Sequence, residues 1–264
     1  MLDRRSFAWL AAVAGPSFAI GLRARPAAAA NGLLGELTSG TKTLVVGTDA
    51  TFPPFEETSP QGVKSGFDID LVNAIAEKIG IKKVKFQQVP FGQLIPGLMA
   101  NHIDLAASAI YITAVREKVV NFSAPYFKGG LSVMVKPADT SIKQPSDLNG
   151  KRVAVQVGTK SVDYLRQSFP GVHLVVVQTN DEMFQALQSG RADAVVTGYP
   201  AARYYIKTHG GAKLADFLLT HEEYGLAMRK DDPDLLKAVN DALEVLKSDG
   251  TLATLEKKWF GSAA

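Results

Sequence analysis

The 264-residue chain contains no cysteine. That absence excludes a disulfide scaffold, a thiolate metal site, an iron–sulfur site, a cysteine nucleophile and a lipid-anchored amino terminus. Histidine is scarce as well. His102, His173, His209 and His221 are scattered, without the His-x-x-x-His spacing that builds a metal site. No apolar run after residue 30 approaches the roughly 18–20 residues of a membrane-spanning helix, which excludes an integral transporter. An excess of one charge is missing too. The formal net charge is +3, but Arg4, Arg5, Arg23 and Arg25 against Asp3 account for it, and residues 31–264 hold 25 basic and 25 acidic side chains. A neutral body lacks the electrostatic footprint of a nucleic-acid binder. What is present, 46% hydrophobic and 21% charged residues, is the composition of a folded globular protein with one large domain or two smaller ones.

Residues 1–30 read as an export signal. A charged start ending in Arg4-Arg5 precedes an apolar stretch from Phe7 to Leu22, and Ala28-Ala29-Ala30 offers small residues for cleavage. Arg4-Arg5-Ser6-Phe7 is similar to a twin-arginine element, although Asp3 and Ala8 flank it differently. The mature chain is therefore expected to begin near Asn31 in the periplasm, with residues 31–40 as a leader to the fold.

The body alternates strand-like and helix-like segments. β-Branched runs at 43–48, 84–89 and 104–108 predict strands, and apolar spacing predicts helices at 68–79 and 93–100. Asp68 is expected to cap the first helix and Gly80 to end it. The same order returns as strands at 151–157, 172–177 and 193–197 with helices at 161–168 and 181–189. Ile95-Pro96-Gly97-Leu98 and Asp104 align with Phe184-Gln185-Ala186-Leu187 and Asp193 at a constant offset. Two α/β units follow, each expected as a mostly parallel sheet flanked by helices. Apolar runs at 131–136 and 224–229 leave the first unit and follow the second, and helices at 233–247 and 251–259 have only the first unit to join. The chain then crosses between lobes near 126–130 and 222–225, which predicts a two-strand hinge and a cleft. Lobe 1 is expected over 41–127 and 225–264, and lobe 2 over 128–224.

Ligands of open parallel sheets bind beyond the carboxyl ends of the strands. Those ends carry Asp49, Phe52, Phe91, Ser108, Tyr111, Thr113 and Arg116 in the first unit. In the second they carry Gln156, Thr159, Ser161, Thr179, Asp181, Thr197 and Tyr199. Ala109 beside Ser108, Lys160 beside Thr159 and Gly198 beside Thr197 complete the candidate set. Aromatics, hydroxyls, a carboxylate and a guanidinium suit a small zwitterionic or carboxylate solute. Arg116 can grip a carboxylate in a bidentate fork, and helix starts at Thr113 and Thr159 favour an anion. Each residue also has a plainer reading: core rings for Phe52 and Phe91, a surface ion pair for Arg116, a turn for Asp49, a helix cap for Thr159. Asp104 and Asp193 recur by the repeat, which points to a shared structural role.

Val45-Val46-Gly47-Thr48-Asp49-Ala50-Thr51-Phe52-Pro53-Pro54-Phe55-Glu56, Gly66-Phe67-Asp68-Ile69-Asp70-Leu71 and Ile112-Thr113-x-x-Arg116 form an ordered set. With Gln156-x-Gly158-Thr159 and the final Lys258-Trp259-Phe260-Gly261, it resembles the polar amino-acid branch of bacterial periplasmic solute-binding proteins, family 3, nearest to the glutamine-binding type. The resemblance covers residues 41–264. It implies a two-lobed periplasmic-binding-protein fold that closes over an amino-acid-like ligand and presents it to the membrane permease of an ABC transporter. The implied protein is a monomer without cofactor or metal. The resemblance makes Phe52 and Phe91 an aromatic sandwich, Arg116 the carboxylate clamp, Asp49 a contact to the ligand side chain and Thr159 a donor to the carboxylate.

Two positions depart from the resembled pattern. Tyr111 stands where a Ser or Thr is usual, and Gly198 stands where an acid receives the ligand's α-ammonium. The loss leaves open an N-substituted solute such as an opine or compatible solute, or an ammonium held by Asp49, Glu56 or Asp181. Two other functional classes compete with the binding protein. One is a cyclohexadienyl dehydratase-like lyase on the same scaffold, which needs a poised acid. The other is a sensor's ligand-binding domain, for which no spanning helix follows. The leading expectation is a binding protein, not an enzyme.

Overall fold

The structure is a computed structural model that describes residues 32–261. The expected export signal and its cleavage point lie outside the described residues. Two five-stranded sheets organise the chain. In the first, the strands Val84–Gln88, Leu44–Thr48 and Leu105–Ala106 run parallel, Ala227–Met228 pairs antiparallel with the last, and Asn121–Phe122 pairs antiparallel with Ala227–Met228 and so runs with the first three. In the second, His173–Val177, Arg152–Gln156 and Ala194–Gly198 run parallel, Leu131–Val135 pairs antiparallel with the last, and Lys213–Leu218 pairs antiparallel with Leu131–Val135 and so runs with the first three.

Each sheet is thus mixed, with a parallel core of the kind the repeat predicts. The antiparallel strands have a topological cause. Leu131–Val135 enters the second sheet from the first lobe, and Ala227–Met228 returns the other way, so each arrives against the local strand direction. The crossovers are Phe127–Gly129 and Glu222–Tyr224, and they pair with each other antiparallel. This is the two-strand connection expected near 126–130 and 222–225.

The repeated aspartates do the same local job twice. Asp104 accepts the Val45 N–H at 3.0 Å and donates its own N–H to the Val45 carbonyl at 2.8 Å. Asp193 makes the equivalent pair with Arg152, at 2.9 and 2.7 Å. Each carboxylate extends the ladder where the short third strand begins, so the neighbouring strand loses no partner. Cations complete both sites: Lys42 and Arg229 at Asp104, and the Arg152 guanidinium at Asp193.

Three expectations change. Residues 33–39, expected within a leader, form the helix Leu33–Ser39, whose Leu37 is fully buried; the helix packs on Pro233–Ser248. Asp68 does not cap its helix. That helix begins at Phe67 after Gly66, and the Asp68 carboxylate turns inward, accepting the Ala109 N–H at 2.7 Å and the Tyr126 hydroxyl at 2.9 Å. The helix Tyr199–His209 and the small antiparallel sheet Thr51–Phe52, Glu56–Thr58 and Lys64–Ser65 have no counterpart in the sequence reading. Gly80 does end its helix, at φ +85°, where a left-handed residue returns its N–H to Ala76.

The C-terminal helices Pro233–Ser248 and Thr251–Phe260 pack on Phe67–Ile79, and Lys258 and Trp259 both donate to Asp70. Their docking places Phe260 in an aromatic cluster around Phe55. The Phe55 ring lies 5.0 Å from Phe260, 5.1 Å from Tyr224, 5.4 Å from Phe127 and 6.1 Å from Phe67. A crossover strand, a C-terminal helix and the cleft floor therefore share one packing unit. Phe55→Ala is expected to cost about 3–5 kcal/mol of stability through the cavity it leaves. Denaturant midpoints measure this, and a loss below about 1 kcal/mol would show that the cluster collapses to fill the gap.

Candidate functional site

The carboxyl ends of the parallel strands of both sheets face one cleft. Asp49 follows the strand Leu44–Thr48, Ser108 and Ala109 follow Leu105–Ala106, and Phe91 follows Val84–Gln88. From the other sheet, Gln156 ends its strand, Thr159 and Lys160 open the helix Lys160–Ser168, and Thr197 and Gly198 end Ala194–Gly198. These residues line the cleft together with Phe52, Tyr111 and Arg116.

Thr113 and Thr179 instead cap helices, accepting the Arg116 and Glu182 N–H groups, and a further candidate outside the lining is Tyr199. It starts the helix Tyr199–His209, its N–H donates to the Gly130 carbonyl at 2.9 Å, and its ring lies under the Arg203 guanidinium rather than in the cleft. The helix start turns its side chain away from the strand end. The aromatic position goes to Tyr224, which sequence spacing did not select. Asp181, a candidate acid, is exposed and outside the lining. Ser161, selected at the strand end, lines the cleft as expected, and Leu131, Asn180, Met183 and Val196 line it without having been selected. They lie inside or beside predicted strands and helices, where residue type alone does not separate a wall from a core.

Hydrogen bonds cross the cleft at two points. The Gln156 amide donates to Asp49 Oδ2 at 2.6 Å, and Asn180 Nδ2 in turn donates to Gln156 Oε1 at 3.2 Å. Gln88 donates to Asp49 Oδ1 at 3.1 Å, so both Asp49 oxygens have partners. Burial still raises the Asp49 carboxyl above its ordinary range, against the lowering effect of these donors. At the second point Arg116 donates from Nη1 to the Tyr111 carbonyl at 2.8 Å and from Nη2 to the Gly158 carbonyl at 3.1 Å. Its guanidinium also lies 5.6 Å from the Phe91 ring centroid. Lys160 pairs with Glu222 of the crossover strand. Thr159 donates its hydroxyl to the Gln156 carbonyl at 2.7 Å, which fixes the turn before the helix.

The wall beside Gly198 is closed. A Cβ there would lie 2.7 Å from the Tyr224 hydroxyl, 3.2 Å from the Tyr111 hydroxyl and 3.3 Å from Phe52 Cζ. The two tyrosine rings stack at 4.5 Å, and Tyr224 donates to Tyr111 at 3.0 Å. Burial pushes both phenols upward, so they remain neutral donors and acceptors.

Beneath this wall lie two fully buried carboxyls. Glu56 accepts the Ser108 hydroxyl at 2.8 Å through Oε1, and Ser108 accepts the Asp49 N–H at 3.1 Å. Glu56 Oε2 and Asp68 Oδ1 have no hydrogen-bond partner among the described residues. Burial, then the charge of Asp68, pushes Glu56 well above the carboxylate range, and burial raises Asp68 to about 7.

The sign of the stability effect follows. Both acids hold their protons longer folded than unfolded. The unfolded chain binds fewer protons between about pH 4 and 7, so stability falls as pH rises through that window. Asp249, lowered to about 2, and Asp193 act oppositely, but only as pH falls below about 4. The denaturant midpoint is therefore expected to be higher at pH 5 than at pH 8, and Asp68→Asn is expected to flatten the difference. A midpoint that rises from pH 5 to pH 8 would contradict it.

Comparison with known proteins gives a consistent neighbourhood. Residues 44–262 match the family model of bacterial extracellular solute-binding proteins, family 3. The L-cystine-binding protein TcyJ of Escherichia coli (strain K12) is 33% identical over 222 residues, 83% of each chain. Among solved structures, a mutant of ArgBP from T. maritima is 37% identical with a TM-score of 0.82, covering 87% of this chain and 99% of that one. An ancestral arginine-binding protein, solved bound to glutamine and to arginine, is 43% identical with a TM-score of 0.79, covering 83% of this chain and 98% of that one.

Proposed function

Because the chain belongs to the bacterial extracellular solute-binding proteins, family 3, we propose that it is the amino-acid-binding component of an ABC importer. It captures a polar amino acid in the cleft between its lobes and delivers it to a membrane permease. The observation that carries this reading is the convergence of strand ends from both sheets on one cleft, bridged by Asp49–Gln156 and Arg116–Gly158. The relatives named above bind cystine and arginine, and one is also solved with glutamine, which supports a polar amino acid as the class. The Gln156 amide and the shared motifs support a glutamine-like member of it. The signal-like segment 1–30 supports export to the periplasm, and Arg4-Arg5-Ser6-Phe7 supports the twin-arginine route. The reading is of a monomer whose lobes span 41–127 with 225–264, and 128–224.

In this reading Arg116 holds the solute carboxylate. Its two carbonyl bonds fix the fork at the cleft edge while a carboxylate takes the remaining donors. Phe52 and Phe91 flank the solute, and the first turn of Lys160–Ser168 with Thr159 faces its acid group. Asp49, Ser108, Ala109, Gln156 and Thr197 contribute the polar floor. A second reading, an N-substituted solute such as an opine, draws on the closed aromatic wall beside Gly198.

A thermal-shift screen of amino acids, opines and betaines tests the class. At 100 times its dissociation constant a binder stabilises by about 2.7 kcal/mol, a rise of about 2–4 °C for a chain of this size. A polar amino acid is expected to give that rise, and none doing so would overturn the reading. Arg116→Ala is expected to weaken the same amino acid by about 100-fold or more in calorimetry, and Arg116→Lys is expected to rescue little. Near-unchanged affinity in a folded Arg116→Ala variant would remove it from the site.

A further inference from the structure

We propose that Glu56 holds the cationic nitrogen of the bound solute, at a site displaced from the Gly198 wall to the cleft floor. The proposal rests on the amino-acid-binding reading above and assigns the group that reads the solute's ammonium.

Most charged groups of the cleft already have protein partners. Both oxygens of Asp49 accept protein donors, from Gln156 and Gln88. Lys160 is paired with Glu222, and Arg116 spans two carbonyls. Position 198 offers no place for an acid, since even a Cβ would meet the Tyr224 hydroxyl at 2.7 Å. That hydroxyl is held by its bond to Tyr111 in a fully buried ring stack, so it does not simply swing aside.

Glu56 remains. It lines the cleft, its side chain is fully buried, and one of its oxygens is without a partner among the described residues. A buried carboxylate with an open oxygen is costly unless it is protonated or meets a cation. Burial, then the acids Asp68 and Asp49, disfavour its charge, and the Ser108 hydroxyl offsets them only in part. Before a solute arrives, Glu56 is therefore a carboxylic acid. An ammonium placed at Oε2 reverses the balance, because an opposite charge at hydrogen-bond distance favours ionisation. The proton of Glu56 leaves to solvent, and the carboxylate and ammonium remain as the bound pair. The Ser108 hydroxyl, already on Oε1, orients the carboxyl group.

Calorimetry of the full chain with L-arginine, L-glutamine and L-cystine tests this, repeated in buffers of different ionisation enthalpy. The tightest binder of the three is expected to release a proton at neutral pH, seen as a binding heat that varies with the buffer. Glu56→Gln keeps the shape and an acceptor for Ser108. It is expected to weaken that amino acid 10-fold or more and to abolish the buffer dependence. The same acid without its α-amino group is expected to bind both proteins within about twofold. Buffer-independent heats in the unmodified protein overturn the proposal without any variant. So does a folded Glu56→Gln variant with unchanged affinity, which would mean that Glu56 only shares a proton with Asp68. A methylated nitrogen bound more tightly than the free ammonium overturns it in favour of the N-substituted reading. Failure of all three amino acids to bind, with Arg116→Ala equally inert, takes down the amino-acid reading itself and the proposal with it.

Discussion

The two sheets are joined by two short strands, so the relation between the lobes depends on the few polar contacts that cross the cleft. Gln156 to Asp49, Asn180 to Thr51 and Arg116 to Gly158 are those contacts, and the backbone adds an apolar one. Gly158, at φ +75°, approaches Gly92 so closely that a Cβ on it would lie 2.6 Å from the Gly92 Cα. Only glycine tolerates both that conformation and that approach. These contacts ring the cavity. In the proposed function, bringing the lobes together and shutting the solute from water are one event, and hydrogen bonds inside strengthen as water leaves.

The floor of the cleft breaks the usual rule for buried acids. Glu56 and Asp68 are fully buried, and each leaves an oxygen without a partner among the described residues. Carboxyls in such a place cost stability, and stable folds keep them chiefly where function uses them. Asp68 is fixed by Ala109 and Tyr126, so it ties the helix Phe67–Ile79 to the loop that carries the cleft residues. Glu56 is reached from the cleft and from the core at once. The aromatic cluster around Phe55 lies behind both and connects them to the crossover strand and the C-terminal helix.

Much of this was legible in the sequence. The repeat with Asp104 and Asp193 foretold two similar sheets, and β-branched runs located their parallel strands. The rule that ligands bind at strand ends selected Asp49, Phe91, Ser108, Arg116, Gln156 and Thr197, all of which line the cleft. What stayed hidden depends on contacts distant in the chain. Tyr224 reaches the cleft because the crossover strand returns beside Tyr111, whereas Tyr199, nearer in sequence, is turned out by its own helix start. Asp68 looked like a cap because its position suits one, but Ala109 and Tyr126 outcompete the helix end. The helix Leu33–Ser39 looked like a leader because only one of its residues, Leu37, is fully buried.

The central claim is that solute binding and lobe closure are the same event. Small-angle scattering of the protein alone and with a saturating amount of the amino acid that most raises its melting temperature tests it directly. The account predicts a smaller radius of gyration in the bound form, through bending at the paired strands Phe127–Gly129 and Glu222–Tyr224. Superimposable curves at saturation would contradict it.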